Sequence, residues 1–420
     1  MKTNIFRALS EKSFRNLWIG EIFTQIAGNL FNFFLILIVF KQTQSNTAVS
    51  GVVLSFTIPA IFFGSLAGVL VDRWNKRNVL VITNVLRALL LIVLVFYLQN
   101  LFVIYLISFA VSILTQFFIP AESPIVPLVV RKDNLLSANA LFGLGIFGSI
   151  LVAYVLSGPV ILFMGSVKTL LFLALLLFVG AIFISFMKLT YVKEKTVSKI
   201  LKEFNIIRDM KHTFLLISRT KEISRSLLLL ALSQILILIL ATVAPGYAHQ
   251  VLGISVEAFP LLFVAPAALG MVVGAVILVN FFHGHPKEKI ITLGIVLSGL
   301  AMLCLPYGSK VASRDFVHTL NTHLPHLLDI TILHIMAFLA FVLGLANALV
   351  FVPANTILQE RTTDAFRGKM YGLINTLVGV LSLLPILIVG GLSDVLGVGA
   401  VITGIGISLL LWAIARIFIK

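Results

Sequence analysis

Glu21, Arg87 and Glu122 are the formal charges that fall well inside otherwise apolar stretches of this 420-residue sequence. An ionisable side chain surrounded by lipid-compatible residues is costly, and it marks a proton relay, an ion pair or a contact with cargo. At a helical rise of ~1.5 Å per residue, Arg87 lies about 15 Å beyond Arg77 and Glu122 about 13 Å beyond Arg131, so the two reach similar depths. The spacing predicts that Arg87 pairs with Glu122 or Glu21, and that the remaining carboxyl group carries a proton. A static neutralising pair that only holds its helices together is the alternative.

A second pattern surrounds the first of these charges. Glu21, Thr24, Gln25, Gly28, Asn29 and Asn32 follow one another at i, i+3, i+4, i+7, i+8 and i+11, which places them on one face of a helix. A polar stripe on an apolar helix predicts a cavity. Ser108, Ser112, Thr115 and Gln116 form a similar face later in the chain. In the C-terminal part the corresponding candidates are Ser233, Gln234, Thr242, Asn347, Asn355, Tyr371 and Asn375. For isolated Ser and Thr residues, interhelical hydrogen bonds worth about 0.6 kcal/mol each are the simpler reading.

The elements that must position these residues follow from composition. Sixty percent of the side chains are hydrophobic, 11% are charged and mean hydropathy is +1.11, whereas soluble domains carry about 25% charge. Twelve apolar runs, among them 137–163 and 167–188, are each long enough to cross a bilayer at roughly 20 residues per span. The first run is too long for the apolar region of a cleaved signal peptide. The expected fold is therefore an all-α integral membrane protein with 12 transmembrane helices in two pseudo-symmetric six-helix bundles. Its expected boundaries are 1–188 for the first bundle, 189–225 for a cytoplasmic linker and 226–420 for the second bundle. Gly64 and Gly68 recur as Gly270 and Gly274, and Pro120-Ala121 recurs as Pro353-Ala354. Parallel repeats of this kind point to alternating access, with a substrate path between the halves.

With both termini placed in the cytoplasm, 26 basic residues fall on that side and 4 on the other, which sets the expected orientation. The net charge of +15 thus records topology and gives no reason to expect a nucleic-acid partner. The basic linker is expected to lie against anionic lipid. Cys304 is the single cysteine, which excludes an intramolecular disulfide. No phosphate-binding loop of the Gly-x4-Gly-Lys-Ser/Thr type occurs, so transport must draw on an ion gradient or on the substrate's own.

The segment Gly68-Val-Leu-Val-Asp72-Arg73-Trp74-Asn75-Lys76-Arg77 joins the second and third spans. Glycines four apart admit a neighbouring helix, an acid can meet a helix N-terminus, and the basic cluster suits lipid headgroups. Gly64, Gly68, Asp72, Arg73 and Arg77 are therefore the candidate gating residues. This loop resembles the signature of the major facilitator superfamily. Phe14-Arg15-Asn16-Leu17-Trp18, Ile58-Pro59, Asn84-Val-Leu-Arg87, Pro120-Ala121 and Gln359-Glu360 through Arg367-Gly368-Lys369 are similar to its branch of drug, macrolide and siderophore exporters. The resemblance implies a secondary transporter in the bacterial inner membrane, and a role for the acid at Asp72 in locking one state through the eleventh helix. Asn75 departs from the family's loop glycine, which the left-handed tolerance of Asn would accommodate. Asn29 and Asn84 stand where relatives often carry Asp.

The function expected from these readings is proton-coupled efflux of an amphipathic small molecule of drug or macrolide type. A siderophore or lysophospholipid carrier on the same fold, or a non-transporting receptor or scaffold, are the alternatives. Partners are expected to be a small-molecule substrate, a proton gradient and the lipid bilayer, with the chain working as a monomer. Neither catalysis nor a cofactor is expected, since catalytic groups do not cluster at one depth. His318, His323 and His326 lie close together in the outer segment 307–328 and read as a solvated loop rather than a metal site.

Overall fold

The computed structural model describes residues 5–189, 221–281, 285–311, 331–361 and 364–418. The linker from 190 to 220 and the three histidines of the outer segment lie outside the described residues. Among the described residues every regular element is helical. After a short turn at Ile5–Ser10 come α1 (Lys12–Thr43), α2 (Asn46–Arg73), α3 (Lys76–Phe96), α4 (Leu101–Val129) and α5 (Leu135–Ser185). The C-terminal part contributes α6 (Lys221–Gly246), α7 (Ala265–Phe281), α8 (Lys287–Val311), α9 (Ile332–Arg361), α10 (Asp364–Leu396) and α11 (Val398–Phe418).

These 11 helices contain the twelve expected spans because α5 is two spans. Its 51 residues would stretch about 75 Å as one rod, more than twice the ~30 Å hydrocarbon layer. Gly165, at φ 70° and ψ 172°, turns the chain back in a conformation open to glycine alone. Prolines inside α2, α4, α5, α6, α8, α9 and α10 are tolerated as they are in lipid-embedded helices. The chain is thus an all-α membrane protein. Its outward faces fit that solvent: Phe163 is 85% and Phe418 82% exposed, positions that water would penalise and lipid does not.

The start of α3 corrects one expectation. Asn75 does not use the left-handed region; at φ −68° and ψ 108° it is extended, and its side chain accepts from the Asn78 amide at 3.3 Å. Asn is therefore present in its capping role, satisfying one orphan amide of the first turn. Trp18 donates from its indole to the Leu141 carbonyl at 2.8 Å and ties α1 to α5.

Two compact units are present. The first comprises Met1–Leu35 and Leu54–Arg219, the second Ile36–Val53 and Thr220–Lys420. In the first, α3 packs on α4 and α5, and Phe14, Leu17, Leu80, Phe118, Ile125 and Ile184 form its buried core. In the second, α9 packs on both α7 and α8, and α8 also packs on α11. The α7–α9 crossing is very close: a Cβ on Gly270 would strike the Phe341 carbonyl, and one on Gly344 the Ala267 carbonyl. Small residues at such crossings let backbones meet where no hydrophobic effect drives association.

Candidate functional site

The three intramembrane charges converge in the first unit. Glu21 on α1, Arg87 on α3 and Glu122 on α4 are 1%, 4% and 5% exposed. The carboxyl groups of Glu21 and Glu122 lie within hydrogen-bonding reach of each other, and Arg87 is close enough to attract both. The direct pairing anticipated for Arg87 is replaced by a three-membered cluster. Its Nε donates to the Thr83 carbonyl at 3.4 Å, one terminal nitrogen donates to Asn84 Oδ1, and the guanidinium sits 4.6 Å from the centre of the Phe118 ring. A desolvated cation over an aromatic face gains about 2 kcal/mol, which partly offsets its lost hydration.

Asn84 links the cluster to the polar stripe. Its Nδ2 donates to Thr24 Oγ1 at 2.8 Å, while Thr24 itself donates to the Gly20 carbonyl. Gly20 and Gly180 face each other where α1 meets the second limb of α5: a Cβ on Gly180 would lie 2.8 Å from Thr24 Oγ1 and 2.9 Å from the Gly20 carbonyl. This close approach leaves no room for a side chain beside the Thr24–Asn84 bond. Gln25 Nε2 donates to Glu21 Oε1 at 2.7 Å, and Asn29 Nδ2 donates to the Gln25 carbonyl at 2.8 Å. The second oxygen of Glu21, also buried, accepts from no described residue by ordinary hydrogen-bond geometry. Two carboxyl groups and one guanidinium carry an uncompensated negative charge unless a proton is held between the acids.

A cavity of about 200 Å³ adjoins this network. Thr24, Gln25, Gly28, Asn29 and Asn32 from α1 line it, together with Arg87, Thr115 and Phe118. Five of the six residues of the first-span stripe line this cavity, and Glu21 is buried behind them. Gln116 lies elsewhere, with its Oε1 facing Gly64 of α2. A second and larger cavity, about 670 Å³, lies within the second unit and is mainly apolar. Asn347 lines it beside Ser233, whose hydroxyl donates to Asn347 Oδ1 at 3.2 Å; Pro385, Leu392 and Trp412 also contribute. Gln234 and Asn355 do not line either cavity.

The candidate gating loop is brought together only in part. Arg77 donates to the Ser185 carbonyl, placing a cation at the C-terminal end of α5, where carbonyls are left without helical partners. Trp74 stacks on Phe117 at 5.9 Å. A Cβ on Gly68 would meet nothing within 4 Å, so no described helix uses this glycine for close approach. The side chains of Asp72, Arg73, Tyr371 and Asn375 lie outside the described residues.

Thr83 and Phe118 were not anticipated. Thr83, Asn84 and Arg87 sit at i, i+1 and i+4 on an apolar helix, a pattern from which a polar face could have been read; Phe118 is one of 34 phenylalanines and carries no signal of its own.

The family model described as Major Facilitator Superfamily matches residues 17–320. An uncharacterised MFS-type transporter of Bacillus subtilis (strain 168), YfmI, is 23% identical over 416 residues, covering 96% of this chain and 95% of the relative. Macrolide efflux protein A of Streptococcus pyogenes is 26% identical over 126 residues, 29% of this chain and 31% of that protein. Among solved structures, the nucleoside transporter NupG superposes with a TM-score of 0.72 at 13% identity, covering 96% of this chain and 98% of that one. A bacterial homologue of the human lysosomal transporter Spinster, inward-facing and occupied, gives 0.67 at 11% identity, with 97% and 96% coverage.

Proposed function

The chain belongs to the Major Facilitator Superfamily and is a multi-pass membrane transporter; from that premise we propose that it couples proton movement to export of an amphipathic small molecule. The observation that carries this reading is the buried Glu21–Glu122–Arg87 cluster beside a polar cavity. Protonation changes the charge of that cluster by one unit, and a charge change in lipid is the natural lever for a conformational switch. Gln25, Asn29 and Asn32 then offer amide donors and acceptors to cargo or to water passing toward the acids. Export of a macrolide-like compound is supported by the partial similarity to Macrolide efflux protein A.

In this reading both termini face the bacterial cytoplasm, as the basic residues require, and the protein works as a monomer. Asp72 and Arg73 act at the cytoplasmic loop, Tyr371 and Asn375 contact cargo, and Gln116, Gln234 and Asn355 approach it in other states of the cycle. A lysophospholipid carrier is a second reading, favoured by the 670 Å³ apolar cavity of the second unit, a volume within the usual 300–1,000 Å³ range of ligand sites.

Proteoliposomes with an imposed pH gradient test the proposal. Fluorescent dyes, a macrolide and a lysophospholipid are each followed in turn. Flux of a dye or macrolide that rises with the gradient is the expected result. Flux of lysophospholipid alone, independent of the gradient, would replace the first reading by the second.

A further inference from the structure

The turn between α1 and α2 is held by a residue 349 positions away. Asp394, near the end of α10, accepts from Ser45 Oγ at 2.6 Å, from the Asn46 amide at 2.7 Å and from the Asn46 side chain at 3.0 Å. It also accepts from the Thr47 amide at 2.9 Å and the Thr47 hydroxyl at 2.7 Å. Five hydrogen bonds thus end on one carboxylate. Asn46 and Thr47 open α2; Ser45 caps the Ala48 amide from within the chain at 3.2 Å, and Asp394 supplies from another helix the acceptors for the Asn46 and Thr47 amides.

Neighbouring contacts seat the same turn. Ser50 donates to the Ile386 carbonyl at 2.9 Å, and it fits only because Gly390 has no side chain, since a Cβ there would overlap the Ser50 hydroxyl. Lys41 pairs with Glu257, and Phe40 meets the His249 ring edge-on at 6.2 Å. Between the two helices Gln44 adopts φ 52°, a left-handed conformation unfavourable for a residue with a Cβ. Residues Ile36–Val53 accordingly belong to the second unit, whereas the chain up to Leu35 and from Leu54 belongs to the first.

We infer that Asp394 is a gate-positioning residue: it fastens the α1–α2 turn in the conformation described, and its release is a step of the transport cycle. Asp394 and Thr47 are exposed, so water can take over the bonds to Ser45 and Thr47 as they break, whereas Asn46 is fully buried and its two bonds return to water only when the turn itself lifts. A clasp with a water-accessible edge exchanges more readily than a wholly buried staple, because water-accessible bonds contribute little net stability. All five share one acceptor residue and therefore open together. The left-handed Gln44 favours opening, since a freed turn can relax it. The gating role rests on the transporter reading; the clasp itself does not.

Alkylation of a buried cysteine tests the clasp without any substrate, so its outcome is separate from that of the flux measurements. In a Cys304→Ser background, a reporter is placed by Val49→Cys, a fully buried position in the turn segment, and in a second protein by Met302→Cys, equally buried in α8. Maleimide reaction rates are measured on purified protein in lipid nanodiscs. Asp394→Ala is expected to speed reaction at position 49 by about tenfold, the effect of one or two net hydrogen bonds on a local opening equilibrium, with the rate at 302 unchanged. Asp394→Asn, which keeps one acceptor oxygen, is expected to fall between. Should Asp394→Ala not yield folded protein, the Ser45→Ala, Thr47→Val double variant is read in the same way. An unchanged rate at 49, or an equal rise at 302, overturns the inference.

Discussion

Glu122→Gln is expected to uncouple flux from the pH gradient while leaving the protein folded. One proton per cycle under a gradient of two pH units supplies about 2.7 kcal/mol, enough for roughly 100-fold accumulation. Glutamine keeps the shape and the hydrogen-bonding capacity of the side chain but cannot gain or lose a proton. Facing Glu21 and Arg87, it leaves a fixed pair of opposite charges in the cluster. Accumulation should therefore fall to the ungraded level, with downhill exchange of cargo retained. Glu21→Gln is expected to act in the same direction, because the two acids share one site and removing either one ends the sharing. Parallel flux assays on both variants decide the matter: full gradient dependence in each would remove the cluster from the coupling mechanism and leave it a structural element. Arg87→Gln serves as the contrast, since it strips the cation from two acids and should disturb folding as well as coupling.

The second large effect concerns assembly of the second unit. Gly344→Ala is expected to destabilise the protein by about 3 kcal/mol or more, the upper range for forcing atoms into a well-packed crossing. The obstruction is backbone, the Ala267 carbonyl, which cannot rotate aside as a flexible side chain would. The α7–α9 crossing must widen, and contacts along both helices loosen together. Thermal unfolding in detergent measures this directly. Gly68→Ala provides the control: its Cβ meets nothing within 4 Å among the described residues, and Ala is about 1 kcal/mol better than Gly inside a helix, so its unfolding temperature should hold or rise. Equal melting of Gly344→Ala and the parent would show that the crossing is not closely packed in the membrane protein itself.

The contrast between these two glycines also shows where sequence reading succeeds and where it stops. Gly64-x3-Gly68 and Gly270-x3-Gly274 are the same pattern, yet Gly270 and Gly274 make close helix contact, while a Cβ on Gly68 meets nothing within 4 Å among the described residues. Spacing says that a helix could approach and does not say that one does. The first-span stripe was legible because its polar residues stand out against an apolar helix and helical spacing alone fixes their common face. The convergence of Glu21, Arg87 and Glu122 was legible too, since similar depth in a thin apolar layer leaves few partners. What depth could not supply was the detail of Arg87, which hydrogen-bonds Asn84 and Thr83 on its own helix. Asp394 was unreadable for a different reason. It reads as one more outer charge, and its partners stand 347 to 349 residues earlier.

The reversal at Gly165 has a consequence for how the chain enters the membrane. From Leu135 to Ser185 the sequence has a single charged residue, Lys168, and a mean hydropathy that never requires a break. Its length calls for two crossings, and Gly165 with Lys168 marks where the turn between them is made. If it entered as one, every later segment would be inverted, and the basic linker would be delivered to the wrong side against the positive-inside preference. On the orientation proposed above, the linker's charge favours the same two-crossing arrangement as the turn some twenty residues before it. A Gly165→Leu, Lys168→Leu variant should populate inverted chains, scored by the accessibility of a tag at the C-terminus from either side; a uniform orientation would place the signal elsewhere.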